Sequence, residues 1–382
     1  MGPTIILDKS ALQCLSRDDT FELSRYFYTV VPPVLILEIL ADLKKPKLNT
    51  ENAQAAVRSL AEKIPPVDSY VNMDYRTLCT ADLLGGRLEM GRRPVIGGGE
   101  RVVAENGTVG VFRDVQPQNE ALTRWSCGEF AEAEELLAEK WRAASQAIDL
   151  ESTRKALRGH LEWVPLKSLA DVREVVDQLM SVRAAQASLL NALLQELRMI
   201  PEVAERTNSR WRNGGCQLLR EFADYGRHCA SVSLMFQLAL MHGLIGTRST
   251  NRIDMEYLYY TPFASLFCSG DKLHRAMAEI VLEGDQSFVW HDDLRLALRQ
   301  VAEARHRAGK PGSEDWCRVQ PKEDSLIWRL WKKHLGHGPE TFETEPRSQA
   351  QNEETMASIK PLMDACEKLK RKLPPRPRWP CP

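Results

Sequence analysis

The sequence predicts an α/β fold, in which helices flank a parallel sheet and a large, mostly helical insertion interrupts that sheet. Two short apolar runs, at residues 4–7 and 264–269, are rich in β-branched or aromatic residues and are typical of buried strands. Each run leads into an aspartate and then into a helical pattern, which is the order of elements in a parallel sheet. Apolar residues at helical spacing lie between the two runs and predict the insertion.

Helices follow the first strand closely. A helical pattern opens at Ser10, directly after the strand. Pro33 then precedes the unbroken segment 34–45, which predicts a helix because proline is well tolerated in the first helical turn. A further helical pattern over 51–63 ends at Pro65.

The insertion begins with a glycine-rich stretch and continues with helices. Asn106 and Gly107 separate two β-rich segments, so we expect a hairpin over 101–112 with a two-residue turn. Apolar residues three and four positions apart predict helices near 130–144, 172–197 and 216–242, the last ended by Gly243. After the second strand, helices are predicted over 273–282 and 294–307.

A chain of 382 residues predicts roughly two to three domains. The sheet is expected to be discontinuous in sequence, because its two strand signals lie near opposite ends of the chain. The predicted regions are a core of 1–45 with 245–300, an insertion of 46–127 carrying the hairpin, a helical insertion of 128–244, a helical C-terminal region of 301–366, and a disordered, basic, proline-rich tail of 367–382.

Composition excludes several classes of protein. The 51 basic and 52 acidic residues give a net charge of -1, which is unlike a strongly basic nucleic-acid-binding protein, although local basic patches remain open. The nine cysteines form no CxxC pair, which suits a reducing compartment and excludes a zinc site of paired cysteines. No basic leader begins the chain and no apolar stretch is long enough to span a bilayer, so we expect a cytoplasmic protein without membrane contact.

Two aspartates carry the first functional signal. Asp8 directly follows the first strand, and Asp271 follows the second after Ser269 and Gly270. Carboxylates at the ends of parallel strands face one crevice, where they repel each other unless a cation neutralises them. A divalent metal ion with oxygen ligands is the simplest such cation. The alternative is that each aspartate only caps the helix that follows it.

Two further acids fit the same crevice. Glu38 lies on a helix that is apolar nearly all round, where it shares a narrow polar stripe with Asp42. Asp254 opens the aromatic helix that precedes the second strand. A solvated stripe and a helix cap are the alternatives for these two residues.

The four acids, in this order, resemble the PIN domain family of metal-dependent nucleases. The resemblance covers about residues 1–45 and 245–300 and is carried by the segments TIILD with Asp8, VVPPVLILE with Glu38, the helix that begins at Asp254, and LFCSGD with Asp271. It departs from the family pattern in the separation of Glu38 and Asp254, which are 216 residues apart, where a compact PIN domain has a few tens.

The resemblance implies a PIN-like sheet and a nuclease activity. Asp8, Glu38, Asp254 and Asp271 would bind Mg²⁺ or Mn²⁺, with Asp8 and Asp271 as the central ligands, and Ser10 and Ser269 would orient a carboxylate or water. The implied reaction is endonucleolytic hydrolysis of single-stranded RNA, with a role in stress response or phage defence. DNA stays open as a substrate, because recognition of the 2′-hydroxyl leaves no spacing signature.

Residues that bind the substrate are signalled less directly. Arg210, Trp211 and Arg212 place an aromatic ring among basic side chains, as does the segment 328–333, and Lys272 is next to the second aspartate. An amphipathic helix that buries its tryptophan is the alternative for both segments. His291 could reach the crevice as a supplementary ligand.

A second function remains open from the sequence. The core could be a non-catalytic scaffold whose helical insertion binds a protein partner or forms a homo-oligomer. The leucine and valine stripes between 172 and 197 favour this interpretation.

Overall fold

The structure is a computed structural model that describes residues 2–46, 48–65, 69–112, 116–160, 166–339, 356–357 and 360–367. The chain forms two compact units, one of residues 1–96 with 118–339 and the other of residues 97–117 with 340–382. The predicted basic tail, apart from residue 367, lies outside the described residues.

The first unit is built on a five-stranded parallel sheet, which confirms the predicted α/β class. The strands of the described chain are β1 (Thr4–Leu7), β2 (Tyr28–Val31), β3 (Ser69–Val71), β4 (Glu100–Val103), β5 (Val109–Phe112), β6 (Leu266–Ser269) and β7 (Ser287–Trp290). The order in the large sheet is β3-β2-β1-β6-β7. β3 therefore extends this sheet into the range that the sequence predicted as an insertion.

Helices cover the sheet and make up most of the remaining chain. They are α1 (Lys9–Cys14), α2 (Arg17–Tyr26), α3 (Pro33–Leu40), α4 (Thr50–Ala61), α5 (Tyr75–Leu83), α6 (Pro117–Ser126), α7 (Glu132–Gln146), α8 (Leu150–His160), α9 (Leu169–Ser181), α10 (Gln186–Glu196), α11 (Pro201–Asn213), α12 (Leu219–Phe222), α13 (Asp224–His242), α14 (Thr250–Leu258), α15 (Lys272–Val281), α16 (His291–Ala308), α17 (Glu314–Arg318) and α18 (Leu326–Leu335).

β1 is the central strand of the sheet, and later strands are added on both of its sides. From β1 the chain adds β2 and β3 on one side, and it returns much later to add β6 and β7 on the other. β1 and β6 are direct neighbours, with Leu7 opposite Cys268 at their carboxyl ends. In open α/β sheets such a switch point forms the crevice in which ligands bind. Asp8 and Asp271 both follow strands that border this crevice.

The sequences of the two central strands explain their position. All four residues of β1 and all four of β6 are buried, as expected for strands covered by helices on both faces. Pro33 begins α3 and Gly243, in the left-handed conformation, ends α13, so both predicted helix boundaries are confirmed.

Several predicted elements differ in detail from the structure. The helix predicted over 216–242 is two helices, α12 and α13, and the helix predicted over 34–45 is α3 followed by a 3-10 turn at Ala41–Lys44. The helix predicted over 172–197 is two helices, α9 and α10, separated by a 3-10 turn. The predicted hairpin is present as β4 and β5, but its turn has three residues, because Ala104 still pairs with Thr108. Gly107 closes that turn at a φ of 81°, which a residue with a side chain rarely adopts.

A buried ion pair joins α2 to α16. Arg305 and Glu22 are both almost fully buried and form two hydrogen bonds, of 2.6 and 3.1 Å. The guanidinium also donates to the hydroxyl of Tyr26 and to the carbonyls of Trp316 and Val319. These partners satisfy a charge that would otherwise be costly to bury, and they fix the segment after α16 against the sheet unit.

His228 makes the stability of the first unit sensitive to acid. Burial lowers the pKa of His228 to about 4, and the Nε2 atom donates to the carbonyl of Leu258 at 3.0 Å. Because the folded pKa lies below the unfolded value of 6.5, the stabilisation is present above pH 6.5 and is lost as the pH falls toward 4. We expect this group to remove about 3 kcal/mol from the free energy of unfolding over that range.

Urea denaturation at several pH values checks this expectation. His228→Gln can keep the hydrogen bond to Leu258 but cannot gain a proton, so it should lose less stability than the wild type between pH 6.5 and 4. His306→Gln, at an exposed position on α16, is the control and should behave as the wild type does. Equal acid sensitivity of His228→Gln and the wild type would contradict the prediction.

Among the described residues, no helix is both long and apolar enough to cross a membrane.

Candidate functional site

Asp8 lies at the floor of the crevice, and both oxygen atoms of its carboxylate accept hydrogen bonds from neighbouring residues. Its Oδ1 atom accepts hydrogen bonds from the backbone N–H of Ala11 at 2.8 Å and from Ser10, so it caps α1. Its Oδ2 atom accepts from Ser10 at 2.8 Å and from Ser269 at 2.7 Å. Both serines that the PIN resemblance singled out therefore contact this carboxylate, one from each side of the β1–β6 pair.

His274, on α15, places a positive charge against Asp8. Its Nδ1 atom is 2.9 Å from the hydroxyl of Ser269 and 3.3 Å from Asp8 Oδ2. Because Ser269 gives its proton to the carboxylate, Nδ1 must carry a proton of its own. Nε2 is 2.7 Å from the carbonyl oxygen of Asp254 and must also be protonated. The hydrogen bonds thus assign an imidazolium.

The pKa values agree with this assignment. Burial alone would lower the pKa of His274, but the hydrogen bond and charge of Asp8 and the charge of Asp254 outweigh it and raise the pKa to about 9. Burial alone would raise the pKa of Asp8, but His274, Ala11 and Ser269 together bring it below its ordinary value. A cation of the chain itself therefore neutralises Asp8 at neutral pH.

Sequence reasoning missed His274. Asp271 is the N-cap of α15, and His274 follows it by three residues. This spacing is about one helical turn, so the two side chains lie on the same side of the helix. The ring of His274 is packed edge-on against Tyr257 and Phe267, with centroids 5.4 and 4.9 Å away. A search for a histidine at this spacing after the second aspartate would have found it.

Glu38 reaches the crevice from α3. Its Oε2 atom accepts a hydrogen bond of 2.5 Å from the buried hydroxyl of Tyr257, another residue that the sequence analysis missed. Burial raises the pKa of Glu38, although Tyr257 and Lys9 oppose the change. Lys9 is fixed by the backbone carbonyl of Glu38 and by Asp42, at 2.8 Å each.

Asp254 is the least satisfied acid of the four. It lies in the middle of α14, which begins at Thr250, so the prediction that it opens or caps this helix is wrong. Its Oδ2 atom is buried and has no hydrogen-bond partner among the described residues. Burial raises the pKa of Asp254 to about 7, and the charges of Glu38 and Asp271 act in the same direction against those of His274 and Arg248. The pKa of Asp254 thus responds to the charges of both Glu38 and Asp271, which indicates that these acids lie near one another.

Asp271 borders the mouth of the crevice. Its Oδ1 atom accepts from the backbone N–H of Leu273 at 2.6 Å and caps α15. Its Oδ2 atom is 3.2 Å from Arg248, whose guanidinium also lies 3.7 Å from Oδ2 of Asp254. Arg248 is largely exposed, so it bridges the two acids from the solvent side.

The donor set fits a hard divalent cation in part. All four side chains offer oxygen, and the buried Oδ2 of Asp254 has no hydrogen-bond partner among the described residues, with only the long ion pair to Arg248. However, no three of the four acids bring oxygen atoms within 4.8 Å of one another in the described chain. The oxygen atoms of Asp8 already accept hydrogen bonds from Ala11, Ser10 and Ser269 and lie beside His274, so Asp8 is the acid least suited to bind a metal ion in this conformation.

The predicted nucleic-acid contacts on α11 are used inside the protein. Trp211 is buried and donates its indole N–H to the carbonyl of Gln217 at 2.8 Å. Arg210 donates to the carbonyls of Leu83 and Phe222 and packs its guanidinium on the Phe222 ring. Neither side chain is available to a polynucleotide in this conformation, which corrects the interpretation of these two residues.

The remaining basic candidates are on the surface. Arg212 is exposed and lies 3.5 Å from Glu205, while Lys272 is exposed at the start of α15, beside the crevice. In the second predicted cluster, Trp331 is buried and donates to the carbonyl of Tyr26. Lys332 and Lys333 on the same helix are exposed, so α18 is the amphipathic helix that the sequence analysis gave as the alternative.

Comparisons of this chain with protein-family models, with curated proteins and with solved structures found no match. The resemblance to PIN domains therefore rests on the residues of the crevice alone.

Proposed function

We propose that this protein is a PIN-like, metal-dependent nuclease that hydrolyses single-stranded RNA at the β1–β6 crevice. One observation carries the proposal. Acidic residues from distant parts of the chain interact electrostatically at the switch point of a parallel sheet, and one of them, Asp254, holds a buried oxygen that has no hydrogen-bond partner among the described residues. Burial of a carboxylate oxygen without a hydrogen bond costs free energy, and a bound cation would offset that cost.

The residues of the crevice would have separate roles in metal binding, positioning and substrate contact. Asp254, Asp271 and Glu38 would hold Mg²⁺ or Mn²⁺, and the ion when bound would supply an activated water and neutralise charge on the phosphodiester. Asp8 and His274 form the rigid floor that positions Ser269 and the start of α15. Tyr257 fixes the carboxylate of Glu38. Arg248 and Lys272 are placed at the mouth, where they can contact phosphate groups of the substrate.

The alternative is a non-catalytic scaffold, and one observation favours it. His274 already neutralises Asp8, so the floor of the crevice is complete without a metal ion. The helical insertion gives this alternative less support than the sequence suggested. Val172, Val176, Leu190 and Leu193 are buried within the first unit, where α9 and α10 pack against α13, and so they do not form a free surface.

A cleavage assay tests the nuclease proposal. We expect the purified protein to cut a fluorescently labelled single-stranded RNA in Mn²⁺ and to lose this activity in EDTA. A single-stranded DNA of the same sequence, run in parallel, decides between the two substrates. Absence of cleavage with either polymer, at protein concentrations in excess of substrate, would contradict the proposal.

Titration with Mn²⁺ in a calorimeter separates the nuclease from the scaffold. The nuclease requires binding between micromolar and millimolar concentrations, and Asp271→Asn should weaken it. No heat of binding over that range would support the scaffold. Binding without cleavage would leave a metal-binding protein of another function and would also contradict the nuclease.

A further inference from the structure

Cys14, His291 and Asp292 form a compact cluster beside the acid crevice, where the His291 ring packs on Gly270. One ligand atom of each residue lies within 4.8 Å of the others, and this is the only such group of three in the described chain. Cys14 ends α1, whereas His291 and Asp292 begin α16 directly after β7. The cluster thus joins two helices that lie far apart in the sequence, and it combines a thiol, an imidazole and a carboxylate.

The spacing of the three groups is that of ligands around one ion. Sγ of Cys14 is 3.7 Å from Oδ1 of Asp292, and Nε2 of His291 is 3.3 Å from Oδ2 of the same carboxylate. Around a tetrahedral zinc ion, neighbouring sulfur and oxygen ligands are roughly 3.5 Å apart, and nitrogen and oxygen ligands roughly 3.3 Å. The two observed distances agree with these values to within a few tenths of an ångström, with the sulfur approaching one oxygen of Asp292 and the nitrogen approaching the other.

The position of the His291 ring is fixed by Gly270. A Cβ atom at residue 270 would lie 2.3 Å from Cε1 and 2.4 Å from Nδ1 of His291, so only glycine allows the ring to lie there. Nδ1 is buried against this glycine and has no hydrogen-bond partner among the described residues. The imidazole is therefore held by packing, and Nε2 is the nitrogen that faces the cluster.

We propose that Cys14, His291 and Asp292 bind one zinc ion. Sulfur and nitrogen ligands favour zinc over magnesium or calcium, which prefer oxygen alone. Three protein ligands leave the fourth position for water, and Asp292 is half exposed, so this position opens to solvent. Arg295, 3.3 Å from Oδ1 of Asp292, would hold the carboxylate from outside the coordination sphere.

A hydrogen-bonded cluster without metal is the competing explanation. In that case the thiol of Cys14 and the imidazole N–H both donate to Asp292, and no ion is needed. The two explanations differ in the protonation of Cys14, which is a thiol in the hydrogen-bonded cluster and a thiolate in the zinc site. Zinc binding requires the thiolate, so it releases a proton to the buffer at pH 7.

Cobalt(II) is a direct probe of this site, because a cysteine ligand gives a thiolate-to-cobalt charge-transfer band in the near ultraviolet. We expect the reduced, metal-free protein to develop this band together with visible ligand-field bands on titration with CoCl₂, and ZnCl₂ to displace both. Cys14→Ser should abolish the charge-transfer band. Asp292→Asn should weaken cobalt binding at least about tenfold.

Two controls make the result decisive. Cys317→Ser removes an exposed thiol on α17 and should leave the band unchanged. Circular dichroism of metal-free Cys14→Ser should match the wild type, since Cys14 is only half-buried. A band that persists in Cys14→Ser, or no band in the wild type at millimolar cobalt, would overturn the zinc site and leave the hydrogen-bonded cluster.

The zinc site can be tested independently of the proposed nuclease. Asp254→Asn and Asp271→Asn alter the acid crevice but none of the three proposed zinc ligands, so both variants should keep the cobalt band. A protein that binds cobalt through Cys14 and cuts no RNA would retain the zinc site and refute only the nuclease.

Discussion

Asp254→Asn is expected to abolish Mn²⁺-dependent cleavage of RNA while leaving the protein at least as stable as the wild type. Asparagine has the same shape but lacks the negative charge that a divalent cation needs, so the rate should fall by more than about 100-fold, beyond the loss expected for an outer-shell residue. Stability should not suffer, because the lost carboxylate oxygen is buried without a hydrogen bond. Cleavage rates and urea denaturation of the two proteins measure the two effects.

Asp8→Asn provides the informative contrast. This variant should also lose cleavage, but for a different reason, because it removes the counter-ion of the buried His274. Its free energy of unfolding should therefore fall, whereas that of Asp254→Asn should not. The Asp8 variant alone cannot distinguish a lost ligand from a disrupted floor, so Asp254 and Asp271 are the better positions for a test of catalysis.

An exposed aspartate supplies the control for both variants. Asp177→Asn, on α9, should retain the wild-type rate, because it only loses an exposed ion pair with Arg173. Wild-type cleavage by Asp254→Asn would contradict its assignment as a ligand. Unfolding of Asp254→Asn would show that the carboxylate has a structural partner and would equally refute the expectation.

His274→Phe is expected to cause the largest loss of stability, about 3–5 kcal/mol in the free energy of unfolding. Phenylalanine fills the same space between Tyr257 and Phe267, so packing is largely kept. What is lost is the positive charge beside Asp8 and the N–H that donates to the carbonyl of Asp254. Urea denaturation at pH 7 measures the change.

A double-mutant cycle tests the cause. If the loss arises from an uncompensated Asp8 carboxylate, then His274→Phe should cost much less in the Asp8→Asn background than in the wild type. Additive effects would show that the two side chains do not interact and would remove the argument for an imidazolium. His306→Phe, at an exposed position, is the control for the substitution itself and should change stability little.

The sequence predicted those features of the fold that local patterns determine. Asp8 and Asp271 were predicted correctly at the ends of two strands because each follows a continuous apolar run. β2, β3 and β7 were missed. β3 has only three residues and its central residue, Tyr70, is half exposed, whereas β2 and β7 are four-residue strands set closely against helices, so no separate apolar run marks them. The three-residue turn of the hairpin was missed because Asn106–Gly107 also suits a two-residue turn.

The sequence could not predict which side chains complete the crevice. His274 and Tyr257 meet Asp8 and Glu38 only because α14 packs against both α15 and α3, and this arrangement has no local signature. The same limit explains Arg210 and Trp211. An aromatic residue between arginines suits both a polynucleotide surface and an amphipathic helix, and only the contacts with Gln217 and Phe222 decide between them.

The position of β1 beside β6 also has a consequence for synthesis of the chain on the ribosome. Ser269 and Asp8, which share a hydrogen bond, are separated by 261 residues. At a bacterial or eukaryotic elongation rate, roughly 10 to 50 s pass between the emergence of the first strand and that of its neighbour. During this interval one edge of β1 has no native partner, so the nascent chain depends on a chaperone or on rapid collapse of its early helices to avoid pairing with other chains.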